Sequence, residues 1–133
     1  MRNKVAVSGV GCICSLGKNT ATIIDRLFSG NQSIPHPPSK FRNDHPETFP
    51  VFEVDDNWIT HPEMTTQYGR TVILAMTAIA EALENAGLSI VELKGKRVGV
   101  CLGTTVGNSL NNEAFYKAYY NDESPDITEM ERY

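Results

Sequence analysis

The sequence predicts an α/β chain, assembled from strand–glycine–helix units in a layered arrangement. Two short segments, residues 4–14 and 98–102, are rich in Val, Ile, Leu and Cys, and each runs into a glycine-marked turn. A helical pattern follows each turn. Between them, residues 71–86 carry Val72, Met76, Ile79 and Leu83 at helical spacing, with Gly87 placed to stop the helix. Nearly continuous apolar strands are those covered on both faces, as in a parallel sheet.

The opening segment has Gly9 and Gly11 set into its apolar run, and SLG at 15–17 then turns the chain. Asn19 or Thr20 can cap a helix through Phe28 whose stripe is Ile23, Ile24, Leu27 and Phe28, with Gly30 as its C-terminal cap. Residues 31–66 are different. They hold six prolines (35, 37, 38, 46, 50 and 62) and all three histidines, so a long irregular insertion is expected, with one short strand at 49–54. The helix at 71–86 has alanines at 75, 78, 80, 82 and 86; so many small residues suit a helix packed close to other elements. After the second apolar segment comes GTTVG at 103–107, then a helix opening at Asn108 with Leu110, Ala114, Phe115, Ala118 and Tyr119 on its apolar face.

Composition excludes several classes. The chain has 133 residues, 41% of them hydrophobic and 21% charged, and a net charge of −4. One domain with a real core fits this length. Nothing in the charge balance points to nucleic acid or an anionic membrane surface. No apolar stretch is long enough to span a bilayer, and two glycines break the run that follows the basic N-terminus, against a signal peptide. Three cysteines, Cys12, Cys14 and Cys101, give no disulfide framework and point to a reducing, cytoplasmic setting. Cys12 and Cys14 share one face of a strand, but no further metal ligands lie nearby. His36, His45 and His61 are spaced by nine and sixteen residues, which matches no ligand pattern, so no metal or other cofactor is expected. The dinucleotide fingerprint fails at position 14, where Cys stands in place of the third Gly, and there is no phosphate-binding GxxxxGK[ST] and no GxSxG.

Four blocks in order carry a positive signal. They are VAVSGVG at 5–11 with SLG at 15–17, LFSGNQSI at 27–34, QYG at 67–69 with ENAGL at 84–88, and RVGVCLGTTVG at 97–107. This set resembles the N-terminal part of the β-ketoacyl synthases, and covers most of the chain apart from residues 31–66 and the tail. The resemblance implies a thiolase-like layered αβαβα fold, of which residues 1–133 make an incomplete N-terminal half. The divergent iterative synthases, such as those building aryl polyenes, are the branch it favours.

The family's activity is acyl transfer and decarboxylative condensation in fatty-acid or polyketide-type synthesis. It loads an acyl group from acyl carrier protein onto a cysteine, decarboxylates a malonyl thioester, and joins the two. Such chemistry needs an activated thiolate and donors for an enolate oxygen. The family's nucleophile and active-site histidines match nothing in residues 1–133, so no catalytic residue is assigned here. What the resemblance does assign is a wall of the acyl pocket, Thr104, Thr105, Val106 and Gly107, with Val106 where the family gates the chain. A tight packing turn is the alternative reading of the same residues. Homodimers or ketosynthase heterodimers are implied, including a non-catalytic, chain-length-factor-like partner role. The stretch DDNWITHPEM at 55–64 lacks the Lys and Arg with which many members dock the acidic carrier, which puts docking on this face in doubt.

Overall fold

The structure is a computed structural model that describes residues 4–39, 49–59, 68–105, 107, 112–121, 123–124 and 127. Four α-helices are described, α1 (Thr20–Ser29), α2 (Arg70–Asn85), α3 (Ile90–Leu93) and α4 (Glu113–Tyr120), with a 3₁₀ turn at Asp56–Trp58.

The helix ends follow local chemistry. The Asn19 side chain accepts the Thr22 N–H at 2.9 Å, which opens α1, and Gly30 closes it in the left-handed region at φ 76°. At the end of α2, Gly87 N–H donates to Glu84 C=O and Leu88 N–H to Leu83 C=O, both at 2.9 Å, with Gly87 at φ 65°. That is a Schellman closure, which a Cβ at position 87 would strain. The sequence reading missed α3. Its signal was present, because Ser89 and Glu92 form a reciprocal capping box over one turn. Of the helix expected from Asn108, the described part is α4; residues 108–111 lie outside the described residues.

Core formation centres on α2. Ile73 is only 1% exposed, Ile23 and Ile59 are the other buried apolar side chains among the described residues, and the buried Thr77 hydroxyl donates back to Ile73 C=O at 2.9 Å. Against α2 lies the opening segment. A Cβ built on Gly9 would sit 2.1 Å from the Ala82 carbonyl oxygen, and one on Gly11 would sit 2.0 Å from that of Ala78. No side chain fits in that gap. The glycines and the alanines thus explain one another: main chain rests on helix backbone, antiparallel in sense. α2 also satisfies the segment's donors. Val10 N–H donates to Asn85 Oδ1 at 3.2 Å and Cys12 N–H to Glu81 Oε2 at 2.8 Å.

The three strand expectations come out differently. Among the described residues no ladder forms, and the β-pairings are isolated bridges, Cys14 with Gly17 and His36 with Val51. The second is all that is paired of the short strand expected at 49–54. Nor are the two apolar segments covered on both faces: Val5 is 95% exposed, Val7 85% and Val100 72%. An extended segment becomes a strand only when a neighbour takes its N–H and C=O groups. Residues 10 and 12 find side chains of α2 in place of a neighbouring strand.

Candidate functional site

The turn at 103–107 hangs from the first helical turn of α2. Thr71 Oγ1 donates to Gly107 C=O at 2.8 Å, bridging 36 positions of sequence. Gly107 takes the left-handed conformation at φ 59°, and its N–H donates to Thr104 Oγ1 at 2.9 Å. The hydroxyl of Thr104 thus closes the turn from inside, while Thr71 holds it from outside. Thr104 and Thr105 are exposed and Gly107 is half-buried; Val106 lies outside the described residues. Thr71 was not singled out by sequence reading, because a threonine in the first turn of a helix carries no signal of a partner 36 residues later.

Glu81 does comparable work in the middle of α2. Its Oε2 accepts Cys12 N–H, while Oε1 accepts Thr20 N–H at 2.7 Å, the start of α1. Partial burial pushes the Glu81 carboxyl up, but the two N–H donors together outweigh it and hold the group below the usual carboxylate range. Around this bridge, Lys18, Asn19, Trp58, Glu84 and Asn85 line a cleft of about 510 Å³.

Cys12 has the surroundings of a quiet thiol. Desolvation pushes it up, and the neighbouring Cys14 and Glu81 push it further in the same direction. A nucleophilic cysteine needs the reverse, a positive environment that favours thiolate. Cys12, Cys14 and Cys101 are all free, and no group of three or more His, Cys, Asp or Glu side chains that could hold a metal occurs among the described residues. No helix among them is long and apolar enough to cross a membrane.

The face read as lacking basic residues does have one cation. Arg70 reaches across to pair with Asp56 and donates through Nη2 to Val54 C=O at 2.9 Å. Sequence reading missed it because it stands 14 positions after Asp56. Among the described residues the face is otherwise acidic: Glu53, Asp55 and Asp56 surround a cleft of about 420 Å³ with His36 and Ser39. Each carboxylate has local work, Glu53 accepting from Ser39 N–H at 2.9 Å and Asp55 from Asn57 N–H at 2.9 Å. Residues 60–64 of the sequence stretch lie outside the described residues.

No curated protein and no solved structure matches the chain. A family model does, and it spans nearly all of it: that of the Beta-ketoacyl synthase, N-terminal domain, over residues 2–132. The ordered glycine blocks and this match agree, and the chain belongs to the β-ketoacyl synthase N-terminal domain family.

Proposed function

We propose that the chain is the N-terminal part of a β-ketoacyl-[acyl-carrier-protein] synthase acting in fatty-acid, polyketide or aryl-polyene-type synthesis. The observation that carries the proposal is the family match across residues 2–132. In the reaction, a cysteine thiolate displaces the carrier thiol from an acyl thioester. A malonyl thioester then loses carbon dioxide, and its carbanion attacks the acyl-enzyme, expelling the thiolate and leaving a β-ketoacyl thioester. Residues 1–133 supply no nucleophile to this cycle. Their part is structural and selective: α2 fixes the glycine segment, and the turn at 103–107 forms a wall of the acyl pocket within a thiolase-like layered fold. The apolar exposure of Val5, Val7 and Val100 supports such layers, since these side chains need cover. Carrier protein docks away from the acidic face around Asp55 and Asp56, where its own acidic surface would be repelled.

The test is to incubate the intact gene product with acyl and malonyl thioesters and follow β-ketoacyl product by mass spectrometry. Product is expected. No stable thioester should form on Cys12, Cys14 or Cys101, and an adduct on any of the three would overturn the assignment of these residues as non-catalytic. Absence of both product and acyl-enzyme, with carrier binding and association to a second ketosynthase subunit retained, would instead support the chain-length-factor-like partner role.

A further inference from the structure

We propose that Thr71 is a positioning residue that sets acyl-chain selectivity through the turn at 103–107; the inference rests on the pocket-wall reading above. Among the described residues two hydrogen bonds hold the turn, Gly107 N–H to Thr104 Oγ1 at 2.9 Å within it and Thr71 Oγ1 to Gly107 C=O at 2.8 Å from outside it. The first shapes the turn and the second places it. Gly107 is half-buried at φ 59° and has no side chain to anchor it, so among the described contacts these two hydrogen bonds hold the residue where it is. The helix that carries Thr71 is the rigid partner, with Ile73 fully buried two positions on. A hydroxyl on the exposed first turn of α2 therefore fixes where the wall of the pocket stands. Short acyl chains end before reaching such a wall, and long ones touch it. Loosening the tether should change the ratio between chain lengths and leave the common chemistry alone.

The experiment uses the intact enzyme and two variants. Thr71→Val keeps the shape and removes the donor, while Thr71→Ser keeps the donor. Relative kcat/KM for a series of acyl primers should lose discrimination in Thr71→Val by about three- to tenfold, the value of one partly exposed hydrogen bond. Thr71→Ser should retain the parent profile. Equal loss at every chain length, or no change, would overturn the proposal, as would a serine variant that behaves like valine. Amide exchange of the 104–107 segment reads the tether without turnover, and faster exchange is expected in Thr71→Val only. Unchanged exchange would overturn the tether whatever the kinetics. An inactive parent enzyme with an intact tether would overturn the pocket-wall reading and the selectivity role together, whereas an active parent with an unaltered profile in Thr71→Val overturns the selectivity role alone.

Discussion

Residues 4–14 and 97–104 look alike in sequence, each an apolar run punctuated by two glycines, yet the structure treats them differently. Gly9 and Gly11 lie against the α2 backbone with no room for a methyl group, whereas a Cβ on Gly99 or Gly103 would meet nothing within 4 Å. The difference comes from the partner. α2 offers the first segment a small-residue face, Ala78, Ala82 and Ala86, edged by the acceptors Glu81 and Asn85. A glycine in a strand-like run marks close approach only when another element has a matching flat strip and acceptors at the right spacing.

Substitutions can break or sharpen this contrast. Gly11→Ala should have the largest effect, because its methyl would have to displace the Ala78 carbonyl. We expect a loss of about 3 kcal/mol or more, at the upper end of overpacking costs, read as a fall in the denaturation midpoint of the intact protein. Glu81→Gln should come next, at about 1–2 kcal/mol, because a neutral amide oxygen accepts one N–H less strongly and its NH₂ end cannot accept the other. Its pH dependence is distinctive. The folded-state pKa of Glu81 lies below its unfolded value, so its contribution is complete above the unfolded pKa and is lost as pH falls through the folded one. As pH falls through and below the ordinary carboxylate range, Glu81→Gln should therefore lose stability less steeply than the parent; parallel curves would refute the bridge. Gly99→Ala should be smallest, within about 0.5 kcal/mol, the range of surface substitutions. A loss comparable to that of Gly11→Ala would mean that residues 97–104 are covered as closely as the first segment.

The sequence was legible where structure is local. Asn19, Gly30 and Gly87 mark helix ends by their own side chains or by lacking one, and α1 and α2 lie within a residue or two of expectation. The family was legible too, because its glycine blocks stand in order along one chain, and the family model matches residues 2–132. The capping box of α3 could have been read from Ser89 and Glu92, but a four-residue helix has no hydrophobic period to draw attention to it. Of the turn at 103–107, Thr104 and Gly107 were named in advance, while the Thr71 that anchors it was not. Glu81 reads as an ordinary polar position on a helix, although its two partners stand 61 and 69 residues earlier. Val5, Val7 and Val100 were read as needing cover and stand exposed in residues 1–133, since apolar composition states a demand for cover without naming what meets it.

The reach of Glu81 also sets a clock for synthesis. Cys12 leaves the ribosome long before its acceptor, which follows 69 residues later. At about 5–20 residues per second, that gap lasts roughly 3–14 seconds. Throughout it the apolar opening segment has neither the alanine strip nor the carboxylate that will hold it. Slow codons between positions 12 and 81 would lengthen the exposure, and with it the time available to chaperones or to aggregation.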